Sequence, residues 1–291
     1  MTENFKNDSE KNEGVLQLIN NSSEIVSGAI VGVAAGLLTG DPAVATIFGA
    51  GGKALEIGFK MIGNEISERM SGPREKVRAG AAISFAIAGI SKRLKNGESL
   101  REDGFFDKNH TKRSNCDEVL ENVVLKAQRE PEEKKIPYIS SIYANAAFEA
   151  EISADLSHKI IKSAEQLTYQ QLCILSMVGR RENEEEAPGD FQLNPRLDHS
   201  LELSKLLHDC FELVTNGYIQ GGLTLTFSGR LPQYETLNPK SLYLERIGIA
   251  LFKLMDLQDI PDDDIIPIAK LLHWEKDVSS ESGEVSWNPK I

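Results

Sequence analysis

The sequence predicts a mainly α protein: glycine-rich N-terminal helices, a central helical bundle, and a C-terminal winged-helix-like α/β module. Three observations carry that expectation. Gly28, Gly32, Gly36 and Gly40 recur every fourth residue inside an apolar run. From there to about Gly179, apolar residues recur at helical spacing between polar breaks. Beyond an acidic Pro/Gly segment, helix-like and strand-like patterns alternate. The expected layout is residues 1–21 as a flexible arm, 22–95 as glycine-rich helices able to enter a membrane, 96–179 as the bundle, 180–195 as a linker, and 196–291 as the last module and its tail.

The arm, MTENFKNDSEKNEG, is polar and lacks the basic start of a secretory signal. After it, Ser22 or Ser23 can cap the first helix. Glycines four apart on an α-helix form a nearly straight bare stripe, which lets a second backbone approach as closely as helices do in lipid. Each glycine costs a soluble helix about 1 kcal/mol relative to alanine, so the pattern needs a packing reason. That reason is either a tight hairpin in a globular core or a segment that enters a membrane on release. The uncharged run Ile25–Gly40 is 16 residues long, short of the roughly 20 that span a bilayer.

Thr39-Gly40-Asp41-Pro42 is a turn signal. A second helix is expected from Ala43 towards Met70, with Ile57, Met61, Ile62 and Ile66 on one face. Pro73 opens a third helix whose alanine-rich interior, Ala79–Ile90, is flanked by basic residues; a buried helix with solvated ends is the simpler reading of it. Asn96-Gly97 ends it, and Phe105 and Phe106 are expected to dock the following loop on the body. Helices are then expected over Asn115–Arg129, Ile136–Phe148, from Ser153, and from Thr168. Gln171 stands three residues after Thr168, at capping-box spacing. The intervening run REPEEKK (Arg129–Lys135) reads as a solvated helix end. In the last module, a helix closed by Asn216-Gly217 precedes a ribbon expected to pair GLTLTF with SLYLERI, and IALFKLMDL returns to helix. Val278–Ile291 reads as a loose tail that Trp287 can pin.

Net charge is −12, which disfavours nucleic-acid binding by the whole surface. It is unevenly spread: Arg69–Arg113 holds eleven Lys/Arg against five Asp/Glu, and Leu197–Glu275 six against twelve. The acidic last module therefore suits a protein partner better than DNA. The basic stretch supplies an anion-binding candidate: Arg74, Lys76, Arg78, Lys92, Arg93, Lys95, Arg101, Lys112 and Arg113, with Phe105, Phe106 and Tyr138 available to stack bases. Solvation of helix ends is the plain alternative.

Catalytic signatures are absent. Cys116, Cys173 and Cys210 are scattered, which suits a reducing cytosol. His110, His158, His199, His208 and His273 fit no metal-ligand spacing. Gly49–Lys53 lacks the strand and the Ser/Thr of a P-loop. Neither an enzyme nor a cofactor is expected.

Three segments, GESLREDGFFD (Gly97–Asp107), KAQREPEEKKIPYISSIYANAAF (Lys126–Phe148) and AEQLTYQQLCILSMV (Ala164–Val178), together resemble an uncharacterised bacterial helical family. The order DGFF, REPEEKK-P, LTYQQL carries that likeness, over about Pro73–Gly179. The glycine-rich segment is similar to those of membrane-acting effectors of bacterial anti-phage systems, and the chain resembles the membrane effector of Hailong-type defence. That resemblance implies a homo-oligomeric ion channel, cytoplasmic at rest and at the inner membrane when activated. It also implies an inhibitory DNA oligomer made by an operon-encoded nucleotidyltransferase, and abortive infection on release. No ligand signature aligns, so the candidate residues (Gly28, Gly32, Gly36 and Gly40 for packing in oligomer and membrane, the basic set for an anion) rest on spacing and charge alone. The other reading is a soluble regulatory or adaptor protein with a winged-helix interaction module.

Overall fold

The computed structural model describes residues 57–59, 72–110, 112–181, 200–228, 231–238, 241–272, 274–277 and 286–289. Gly28, Gly32, Gly36 and Gly40, the arm and most of the expected linker lie outside them. Among the described residues the protein is mostly helical, with short antiparallel strand pairs. It divides into two compact units, Met1–Gln166 and Leu167–Ile291.

In the N-terminal unit, helix α1 (Pro73–Lys95) starts with Pro at its first turn, where the missing N–H is no loss. It ends with Lys92, Arg93 and Lys95 at its negative dipole end. Its alanines let neighbours come close: Ala81, Ala82, Ala86, Ile87 and Ile90 are fully buried, and a Cβ on Gly89 would meet the Ala144 Cβ at 2.7 Å. Here α1 is a core helix, packed against α2 (Asn115–Arg129) and α3 (Ile136–Ala146). No described helix is long and apolar enough to cross a membrane.

Helix α2 opens on a reciprocal cap: the Asp117 amide donates to Ser114 Oγ, and the Ser114 amide donates to Asp117 Oδ2. Val119, Val123, Val124 and Ala127 then fall on its fully buried face, as their spacing requires. Helix α4 (Ala154–Gln166) packs on α2 and α3, with Ser153 Oγ accepting from the Leu156 amide. Helical residues 57–59 also belong to this unit. There Ile57 is half exposed while Phe59 is buried, so Ile57 is not on the packed side.

In the charge run Arg129, Pro131, Glu132 and Lys134 are exposed as expected, but Glu130 and Lys135 are buried. Pro131 and a 3₁₀ turn, Glu133–Lys135, fold it back, and Lys135 Nζ reaches Glu130 Oε2 at 2.7 Å with both side chains almost fully enclosed.

The C-terminal unit is organised on helix α5 (Tyr169–Arg181), which the sequence reading placed in the bundle. Gln171–Gly179 is buried at every residue; its polar members are satisfied, Gln171 donating to Glu212 at 2.7 Å and Ser176 Oγ to the Leu257 carbonyl at 2.6 Å. Its neighbours are α6 (Leu201–Thr215), α7 (Arg246–Leu254) and α8 (Asp262–Leu271). Thr168 and Gln171 cap α5 reciprocally, as their spacing predicts. Arg180, expected in the linker, is helical and pairs with Asp262 at 2.8 Å.

The strands pair differently from the expected ribbon. β2 (Leu223–Ser228) pairs with β3 (Leu231–Leu237), and β1 (Ile219–Gln220) pairs with β4 (Tyr243–Leu244). The two-residue connection between β2 and β3 closes at lower entropy cost than the longer route to Tyr243. β5 (Trp274–Asp277) pairs with β6 (Ser286–Pro289), Lys276 opposite Trp287, so part of the expected tail is a strand. Gly248 is where α7 meets β1: the Tyr218 carbonyl oxygen lies 1.9 Å from the position a Cβ would take.

Candidate functional site

The basic candidates divide between the two ends of α1. At its start, Arg74 and Arg78 both donate to Glu133, Arg78 at 2.8 Å. Partial burial raises the Glu133 carboxyl, but the hydrogen bonds from the two guanidinium groups prevail and hold it below its ordinary value. Lys76 lies half-buried on the same turn. At the far end, Arg93 donates to Glu98 and Glu149, each at 2.7 Å, and to Asn145 at 3.0 Å, and it covers the Phe148 ring at 4.5 Å. Lys92 and Lys95 are exposed beside it. Fifteen residues separate Arg78 from Arg93, roughly 22 Å of helix, against a Debye length of about 8 Å in physiological salt. They act as separate clusters.

Arg101 is a structural residue. It is buried and donates to the carbonyl oxygens of Ala146, Ile152 and Ala150 at 3.0, 2.6 and 3.0 Å. It also pairs with Asp103 and lies over the Phe105 ring at 4.4 Å. The guanidinium thus satisfies carbonyl groups at and just beyond the end of α3. The hydrogen bond from Arg101 outweighs other effects and holds the Asp103 carboxyl low. Arg113 pairs with Glu121, and Lys112 is exposed with a left-handed backbone, φ 66°.

The aromatic candidates are largely occupied. Phe105 and Tyr138 are buried in the core, so neither ring is open to a base; Phe105 docks the loop as expected and meets the half-buried Phe106 edge-on at 5.5 Å. The anion candidates that remain are the two ends of α1; at its start Arg74 and Arg78 share the Glu133 carboxylate, with Lys76 on the same turn.

Sequence reading missed a second cluster, buried where α2, α3 and residues 57–59 meet. Tyr143 is enclosed, with its hydroxyl and Cys116 Sγ 3.0 Å apart. The Phe59 ring stands edge-on to Tyr143 at 5.5 Å. A Cβ on Gly58 would lie 2.7 Å from Asp117 Oδ1. Burial pushes the Cys116 thiol up to about 12 and raises the Tyr143 hydroxyl well above its ordinary value, so both stay protonated at neutral pH. Such a thiol is a poor nucleophile. Neither group has a motif around it, and only the crossing of α2 and α3 brings them together. The three cysteines are buried and in no disulfide, and among the described residues no His/Cys/Asp/Glu group could hold a metal ion.

Compared with protein-family models, with curated proteins and with solved structures, the chain matches none.

Proposed function

We propose that this chain is a membrane-permeabilising effector, an ion channel or pore of bacterial anti-phage abortive-infection defence, held inactive by an anionic ligand such as a single-stranded DNA oligomer. The observation that carries the reading is the stripe Gly28/Gly32/Gly36/Gly40 in a nearly uncharged run. Oligomerisation would juxtapose such stripes, and the absent side chains would let backbones meet in lipid. The resemblance to the Hailong effector points the same way and adds a nucleotidyltransferase partner. In this scheme the chain rests in the cytoplasm and acts at the inner membrane. The entering element is the stretch before residue 57, since α1 is committed to the core of its unit.

The ligand contact assigned to this function is the start of α1. Glu133 occupies Arg74 and Arg78, so an incoming phosphate has to compete with that carboxylate. Glu133→Gln should therefore tighten binding of a short DNA oligomer, and Arg74→Glu with Arg78→Glu should weaken it. The loss of two phosphate contacts lowers the slope of log affinity against log salt by about 1.4 for a single strand. Equal binding by all three proteins at matched salt removes this site from the proposal. For the effector itself, Gly32→Leu with Gly36→Leu should abolish membrane depolarisation in expressing cells while leaving the helical content of the purified chain intact. Depolarisation that persists in this variant counts against the stripe.

A second reading, a soluble adaptor with a winged-helix interaction module, is favoured by the order α7, turn, α8, hairpin β5–β6. In that order α8 takes the place of a recognition helix, and it begins with Asp262, Asp263 and Asp264. Such a start repels phosphate and suits a protein partner. This reading predicts that the chain stays out of the membrane fraction under every stimulus.

A further inference from the structure

We propose that the start of α1 takes a dianionic phosphate monoester, the group carried by a nucleotide or by the phosphorylated end of an oligonucleotide, in preference to the diesters inside a strand. This deepens the anion site assigned above and rests on that reading.

Helix geometry sets the site. Arg74 and Arg78 are four residues apart and so share a face of α1, whereas Lys76, midway between them in sequence, falls on another face. The two guanidinium groups converge on the Glu133 carboxylate. Arg74 donates from Nε to Oε1 and from Nη2 to Oε2, and Arg78 Nε adds a third hydrogen bond to Oε1 at 2.8 Å. A two-pronged guanidinium grip of this kind fits phosphate as well as carboxylate. Two positive charges here face one negative charge, at the N-terminal end of a 23-residue helix whose dipole also favours an anion. The other end of α1 has the reverse balance: Arg93 faces two carboxylates, Glu98 and Glu149, at the negative end of the dipole. The Arg74 side chain is 58% exposed, so an anion can reach it from solvent.

Glu133 sets the threshold that a ligand has to pass. It belongs to the 3₁₀ turn that carries the enclosed pair Glu130–Lys135 and the hydrogen bond from the Lys135 amide to the Glu132 carbonyl oxygen. A carboxylate tethered this close competes at an effective concentration of about millimolar or more. A diester brings a single charge, the same as the carboxylate, and has no tether, so it competes poorly. A phosphate monoester carries about −1.5 to −2 near neutral pH and a third terminal oxygen. It balances both guanidinium groups, where the carboxylate falls one charge short.

The test measures binding to the full chain at matched salt of a short oligothymidylate with a 5′-phosphate, the same strand with a 5′-hydroxyl, and thymidine 5′-monophosphate. The parent should bind the phosphorylated strand tighter than the hydroxyl strand by about tenfold or more, the effect of one further charge at a partly exposed site. Glu133→Gln should tighten both strands and keep the preference, because an internal competitor weakens every ligand of the site alike. Arg74→Gln, at a largely exposed side chain, should narrow the preference, and Arg74→Glu with Arg78→Glu should abolish it. Thymidine 5′-monophosphate that binds as tightly as the phosphorylated strand makes a free nucleotide the ligand, and weaker binding makes it the end of a strand; both support the monoester. Equal binding of the two strands by the parent overturns the preference, and if Arg74→Gln still weakens both, the anion site above stands without it. A preference that survives in the double variant overturns this placement of the monoester. Binding of no probe by parent or variants overturns the preference and the anion site together.

Discussion

The two units reach a buried core by opposite means. The N-terminal unit is built from small residues: Ala81, Ala82, Ala86 and Gly89 on α1 bring α2 and α3 close, and long charged side chains then close the ends of the helices. The C-terminal unit is built round one enclosed helix, α5, against which Phe252 and Leu244 pack at Gly179, while Gly248 lets α7 approach Tyr218. In the first unit, polar groups fifty or more residues apart meet at the helix ends, such as Arg78 with Glu133 and Arg93 with Glu149. In the second, distant polar groups meet as well, Arg180 with Asp262 and Tyr169 with Asp264, and they do so around a buried central helix. The difference teaches that close approach through small side chains and enclosure of one helix on every side are two routes to a well-packed core.

The sharpest way to break this comparison is the enclosed pair Glu130–Lys135. Lys135→Met alone leaves a carboxylate buried without its cation, and it should lower the stability of the N-terminal unit by about 3–5 kcal/mol. Glu130→Leu with Lys135→Met removes both charges and should recover most of that loss. Urea unfolding followed by hydrogen exchange resolves the effect by unit; a single variant as stable as the parent would show that the pair does not organise its unit. A smaller effect is expected from Gly248→Ala, which sets a methyl group against the Tyr218 carbonyl and should destabilise the C-terminal unit by about 1–3 kcal/mol. The N-terminal unit should be untouched by it.

The smallest effect is on pH. The Glu133 carboxyl is held low in the folded chain by Arg74 and Arg78. Its contribution is therefore present above the ordinary glutamate value, about 4.3, and is lost as pH falls below that through the lowered folded value. Because the side chains are partly exposed, the change should stay within about 1 kcal/mol. Comparing acid unfolding of the parent with that of Glu133→Gln measures it: the variant should lack this component.

Much of the local structure was legible in the sequence because it is set by neighbours a few residues apart. Ser153 and Thr168 begin helices where their spacing to the next turn says they should, Asn216-Gly217 closes α6, and Val119, Val123 and Val124 face inward. The candidate site was less legible. Arg74 and Arg78 do stand together, but nothing local shows that Glu133 will neutralise them, or that Arg101 will be spent on carbonyl groups at the end of α3. Phe59 against Tyr143 joins residues more than eighty positions apart, with no motif at either.

By itself, then, the sequence determined the helices, their caps and their apolar faces, since hydrogen bonding between i and i+4 and the 3.6-residue period are short-range properties. Only the tertiary structure decided that Glu130 and Lys135 of REPEEKK turn inward, that α5 belongs to the C-terminal unit, and that the basic belt is two clusters. A helix buried on every side does not encode which neighbours cover it, and a charge does not encode its partner until the chain has folded back on itself.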